Sequence, residues 1–374
     1  MGRYARLTLR RRPNLLIALG ASVLIAGLGM ALTSYESYSS LYDATYVGSK
    51  RCGECHTQIY REWQASPHAN MMRAPTPESV VADFDDHEWR PPRMEGEGPA
   101  VARMRKEGAR YVMELRHPDG ERYVEFPVKY VIGYQYRQAY VFQAWDWQTG
   151  EPTGVLRRFP LQWSVKRGEF FPYWNMQEKS EPTIPDLWQQ MTGATHNSAW
   201  NLFCARCHTT NLEIVSEDEL HTRGETRWSE ESIGCEACHG PGSKHCDYFA
   251  TNYVNRIAHF AIGSLRGEPV AYIANPPKRS KGGDVSTCAR CHGPDIPTIN
   301  TEIYRRYEPG YSREGKVNDL TPFLKSVPLT PGRRNPTIEV WDDGMPKGIG
   351  MLLRSFIESK CWEATPEGEH APAC

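Results

Sequence analysis

Hydrophobic and polar positions fall into contrasting patterns along the chain. Residues 15–33 (LLIALGASVLIAGLGMALT) carry no charge, whereas residues 1–14 carry Arg3, Arg6, Arg10, Arg11 and Arg12 and no acid. A basic stretch followed by an apolar run is an export signal. The run is at the upper end for a cleaved signal and nearly long enough to span a bilayer. Residues 1–33 are therefore read as a signal peptide or an N-terminal membrane anchor, with Gly29-Met30-Ala31 as a weak small-x-small cleavage site. On either reading the arginines stay inside and the chain from Ser34 onward lies outside.

A period-2 pattern governs the middle of the chain. Residues 109–133 (ARYVMELRHPDGERYVEFPVKYVIG) alternate apolar and polar around Pro118-Asp119-Gly120, which predicts a β-hairpin. Residues 138–165 (QAYVFQAWDWQTGEPTGVLRRFPLQWSV) continue with aromatic, β-rich runs and a second turn at Gln148-Thr149-Gly150. Residues 98–180 are read as a small antiparallel sheet whose Trp and Tyr side chains form its own core. Elsewhere the patterns are short. IYREWQASPHANMM predicts a helix ending near Pro67, residues 76–97 read as loop, and a helix is expected at 350–360.

Four copies of Cys-x-x-Cys-His punctuate this framework: Cys52-Cys55-His56, Cys204-Cys207-His208, Cys235-Cys238-His239 and Cys288-Cys291-His292. The pattern attaches c-type haem. Each thiol adds to a vinyl group, and the adjacent His becomes the proximal iron ligand. Zinc is the main rival, because Cys204-Cys207 with Cys235-Cys238 could build a four-thiolate site. A zinc ribbon does not require His after every pair, yet all four pairs have it. The expected cofactor is haem c, four groups covalently attached. Attachment of haem c happens outside the cytoplasmic membrane, in agreement with the leader.

The segments are then a leader at 1–33, a first haem segment at 34–97 that opens on a polar tether, the β-rich insert at 98–180, a three-haem segment at 181–310 and an irregular C-terminal segment at 311–374. The fold class is α+β: a loop-rich chain with short helices around stacked haems and an inserted small antiparallel β-sheet. The chain has 31 Gly and 28 Pro, as expected of a polypeptide wrapped around cofactors. Setting the five leader arginines aside from 44 Lys and Arg leaves 39 against 45 Asp and Glu, a net charge near −6. With no basic tract or basic-aromatic stripe, nucleic acid is not an expected partner. No GxSxG, Walker loop or HExxH is present, and no carboxylate pair marks a catalytic dyad.

Eight histidines lie outside the motifs, and those that reach iron decide the chemistry. Two His ligands make a low-potential electron-transfer centre, whereas an open face binds a small molecule. His245 ranks first as a sixth ligand, because Gly and Pro in CHGPGSKH turn the chain off the third motif. His68 in WQASPHA ranks second and His196 in ATHNSAWN third. His221 and His259 read as solvated loop residues, and His87 and His117 as exposed. Met71 and Met72 could ligate iron but read as core.

At this point the residues resemble a known family. YVGSKRCGECHTQIYREWQASPHANMM is similar to the opening haem segment of the cytochrome c-554 family, AWNLFCARCHTTNLE and IGCEACHGPGSKH to its central paired motifs, and STCARCHG to the next. VKYVIGYQYRQAYV resembles the sheet insert of larger bacterial relatives. The resemblance covers most of residues 45–310. It implies a periplasmic electron carrier with largely bis-histidine haems in stacked pairs, and it matches His68 and His245 to family distal ligands. The expected function is one-electron transfer between redox protein partners, in the periplasm or otherwise outside the cytoplasm. The competing readings are an oxidoreductase acting on a small nitrogen or sulfur compound at one open haem, and a scaffold anchored in a membrane complex. Cys246, Cys361 and Cys374 remain outside the motifs. FIESKCW followed by Cys374 looks like the approach to a further motif in larger relatives, so the chain is expected to be truncated. A Cys361–Cys374 disulfide is the alternative.

Overall fold

The β-rich middle folds much as its alternation dictates, but on a larger scale. The structure is a computed structural model. It describes residues 13–33, 43–92, 98–173, 182–192, 199–250, 253–266, 270–273, 287–288, 291–292, 356–357, 359–364 and 366. Two compact units divide the chain, one of residues 1–45 with 243–273 and the other of residues 46–242 with 274–374.

In the larger unit eight strands form one antiparallel sheet. They are β1 (Met72–Arg73), β2 (His87–Trp89), β3 (Ala102–Glu107), β4 (Arg110–Arg116), β5 (Tyr123–Ile132), β6 (Arg137–Trp145), β7 (Pro152–Ser164) and β8 (Glu169–Pro172). Strands β2 to β8 pair in chain order, and β1 pairs with β5. Trp89 of edge strand β2 donates its indole N–H to the Phe170 carbonyl of edge strand β8 at 3.1 Å, so the sheet nearly closes into a barrel. The expected small insert at 98–180 is corrected on two counts. The sheet is a large, nearly closed barrel, and it takes in β1, from beyond the expected helix end near Pro67, and β2, from residues expected to be loop.

Both predicted turns form. His117 donates its N–H to Arg122 and accepts from Gly120, which takes φ +80°. At the second turn the Asp146 carboxylate accepts the N–H groups of Gln148 and Thr149, and Gly150 takes φ +76°. Alternation sends Met104, Met113, Leu115, Phe126, Phe159 and Leu161 into one core, which helix Ile184–Thr192 covers with Leu187, Trp188 and Met191. Trp89, Tyr111, Tyr140 and Trp163 join this core, as expected of the aromatic residues. The opposite face of β5 to β7 is also covered, by a cluster of Met72, Ile132, Val141, Leu156, Trp200 and Ala205. This double cover explains why β7 is buried along most of its length. Pro160 lies where the β6–β7 register shifts, a position that tolerates proline.

Other expectations meet the structure unevenly. The helix after the first motif is Thr57–Gln64, ending before Pro67. Met72 is buried in core, with Met71 packed against it. His87 and His117 are half-buried rather than exposed. His87 lies edge-on to Trp163 and bonds Asp83 at 3.0 Å, while His117 packs on Trp188. Most of the helix expected at 350–360 lies outside the described residues, and a short helix is seen at Lys360–Ala364.

In the smaller unit residues Pro13–Thr33 form a helix, and Leu16, Ile17, Val23, Leu24, Ile25 and Leu28 on it are exposed. Among the described residues no helix is long and apolar enough to cross a membrane. The unit also holds helices Ser243–Ala250 and Tyr253–Arg266.

Candidate haem-attachment site

The first motif begins on a short helix, Ser49–Gly53, entered through Gly48 at φ +84°. The His56 N–H bonds the Cys52 carbonyl at 2.9 Å, so one turn carries both thiols and the imidazole. Gly53, between the two cysteines, packs under Tyr60, whose ring a Cβ there would meet at 2.6 Å. The third motif is the helix Cys235–His239, entered through Gly234 and left through Gly240 at φ +78°.

A buried polar clamp joins these two motifs. The Glu236 carboxylate accepts the N–H groups of Val47 at 2.9 Å, Gly48 at 2.7 Å and Gly242 at 2.7 Å. Glu230 accepts the Ser49 hydroxyl at 2.7 Å, and Ser49 Oγ accepts the Cys235 N–H at 2.9 Å. The Trp63 indole donates to Ile233, and the Ser232 hydroxyl both donates to the Met72 carbonyl and accepts the Met72 N–H. Cys52 and Cys235, some 180 residues apart in sequence, are thereby brought into hydrogen-bonding contact. That bond, with a further one from Ser49, lowers the Cys235 thiol to about 7.

The second motif is docked on the barrel. Asn201, in the helix turn Trp200–Phe203 just before Cys204, accepts the Leu156 N–H at 2.7 Å. It donates to the Gly154 carbonyl at 3.1 Å and to Thr226 Oγ1 at 2.9 Å. Burial pushes the Cys204 thiol up, partly offset by Arg158. Burial, with the charges of Arg158 and His292, pulls His208 down to about 4.

The fourth motif closes the set. The His292 ring stands 6.2 Å from the His68 ring between centroids, with the planes inclined at 62°. Two imidazoles that bind one metal from opposite sides at about 2.0 Å each stand about 6 Å apart between ring centres. Burial lowers both imidazoles, and the charge of His68 adds to the effect at His292. The donor set and this spacing fit a haem iron between His68 and His292. Among the described residues no group of three or more His, Cys, Asp and Glu is gathered to hold a metal ion.

The remaining candidates are placed as follows. His245, in the smaller unit, has its Nδ1 2.8 Å from the Ala271 carbonyl oxygen. A bond there fixes the orientation of the imidazole. His196 and Cys374 lie outside the described residues. His221 is half-buried against Phe203 and Glu217, and His259 lies on helix Tyr253–Arg266. No two described cysteines form a disulfide. Sequence reasoning missed Glu236, Glu230, Asn201 and Arg158. The only hint was Glu236 as an acid inside the third motif.

Four Cys-x-x-Cys-His motifs and a facing histidine pair define a multihaem c-type cytochrome. Residues 51–88 and 173–240 match the family described as cytochrome c554 and c-prime. No curated protein matches the sequence. Among solved structures, the outer cell wall cytochrome OcwA is 19% identical, with 72% of this chain and 42% of that chain covered and a TM-score of 0.37. The undecahaem cytochrome from the S-layer of Carboxydothermus ferrireducens is 16% identical, with 76% and 37% covered and a TM-score of 0.29. The chain thus spans less than half the length of either structure.

Proposed function

We propose that the chain is an extracytoplasmic one-electron carrier that holds four haem c groups in two close pairs, with mostly bis-histidine ligation. The facing His68 and His292 rings are the observation that carries this reading. When bound, haem c supplies one-electron iron redox chemistry. The residues do the rest. His68 and His292 would hold one iron between them. The clamp of Glu236, Glu230 and Ser49 fixes the first motif against the third. The charge of His292 reaches His208, which supports a pairing of the second motif with the fourth. The Nδ1 contact of His245 supports its role as a further distal ligand, and His196 is kept as a third candidate. The basic-then-apolar leader, whether cleaved or retained as an anchor, accounts for export, and redox proteins are the expected partners.

Pyridine haemochrome and intact mass of the exported protein should give four haems, and electron paramagnetic resonance should show low-spin iron at the His68–His292 site. Fewer than four haems would overturn the assignment. A high-spin signal at that site would instead favour an oxidoreductase working on a small nitrogen or sulfur compound.

A further inference from the structure

The attachment motifs differ in the sign of the charge buried beside them. At the first and third motifs the charge is negative. Glu236 is 1% exposed and sits within the third motif, between Cys235 and Cys238. Its carboxylate accepts N–H groups from both the loop that leads into Cys52 and the loop that leaves His239. Glu230 adds a second carboxylate at Ser49. At the second motif the charge is positive. Arg158 of β7 is 6% exposed. Strand alternation turns it to the same side as Leu156, which packs in the cluster holding Trp200, Ala205 and Cys204. Its guanidinium carbon stands 3.9 Å over the Tyr173 ring, and Tyr173 packs on that same cluster.

Buried charges are weakly screened by salt, so each acts strongly on a neighbouring redox centre. An anion favours the oxidised, more positive iron and lowers its potential, while a cation favours the reduced iron and raises it. We propose that Glu236 with Glu230 and, opposing them, Arg158 set an ordered difference in potential, low at the first and third motifs and high at the second. This rests on the four-haem reading above. It gives the chain a direction: an electron runs downhill toward the second motif, oxidising one iron and reducing the other, with no bond broken and no proton required.

The test uses the full haem-loaded chain carrying Glu236→Gln or Arg158→Gln, with Arg158→Lys as the charge-retaining control. Spectroelectrochemical titration reads the potentials, and haem-methyl NMR assigns each signal to its motif. Arg158→Gln should lower the potential of the haem on Cys204 and Cys207. Glu236→Gln should raise that of the haem on Cys235 and Cys238, with the one on Cys52 and Cys55 following. Each effect should be about tenfold in the reduced-to-oxidised ratio at fixed applied potential, equivalent to about 59 mV for a one-electron couple. Arg158→Lys should keep most of the native value. If Glu236→Gln does not mature, Glu230→Gln must give the same sign at the same pair. Shifts of reversed sign, both variants acting on one haem, or no shift in a variant that retains four haems would overturn the proposal. Fewer than four haems in the unsubstituted chain is a separate result, seen before any titration, and it removes the four-haem reading and this proposal together.

Discussion

Asn201 is the side chain on which the docking of the second motif to the barrel turns, and Asn201→Ala tests that. Asn201 is 1% exposed and makes three hydrogen bonds, one accepted from the Leu156 N–H and two donated to Gly154 and Thr226. Truncation leaves the Leu156 N–H buried without an acceptor, at a cost of about 1–3 kcal/mol, and each lost donated bond adds about 1 kcal/mol or less. The expected loss is therefore about 3 kcal/mol, a large part of the roughly 5–15 kcal/mol that holds a typical domain folded. Thr226→Val removes one partner and should cost about 1 kcal/mol. In the double variant the two losses should fall short of additivity by about the same amount, because they share a bond. Urea unfolding of the haem-loaded protein, followed by far-ultraviolet circular dichroism, measures all three. A loss below about 1 kcal/mol for Asn201→Ala, with an unchanged denaturant slope, would show that water replaces these bonds and would refute the docking argument.

Three further outcomes follow from the geometry. His68→Ala should convert a single low-spin haem to high-spin in electron paramagnetic resonance while the haem count stays at four; unchanged spectra would exclude His68 as a ligand. Gly133→Ala should destabilise the β5–β6 turn by more than about 1 kcal/mol in thermal unfolding, because Gly133 has φ +96° and an added Cβ would run into the Arg137 carbonyl oxygen. Trp89→Phe keeps the ring but removes the bond to Phe170, so it should cost about 1 kcal/mol and speed amide exchange in β2 and β8. Exchange confined to other strands would mean that this bond does not close the barrel.

The chemistry was legible in the sequence wherever it is local. The haem turns are written in five consecutive residues, and both hairpin turns are marked by Gly120 and Gly150. The barrel's true extent was not legible. β1 and β2 are two and three residues long, too short to show a period, and β3 (ARMRKE) hides its inward Ala102 and Met104 among charges. The clamp was invisible for a different reason. Glu236 is recognisable as a buried acceptor only once residues 47 and 48 lie against it, and nothing in either segment announces the other. His68 was proposed from its place after the first motif, but its partnership with His292 joins positions more than 200 residues apart.

The family match breaks off at residue 88 and resumes at 173, and strands β3 to β8 fill the interval. The clamp, by contrast, is closed entirely by residues on either side of that gap, Val47 to Met72 with Glu230 to Gly242. A change in the length of a barrel hairpin therefore leaves the polar joint untouched, whereas the loss of Glu236 alone strips the N–H groups of Val47, Gly48 and Gly242 of their acceptor at once.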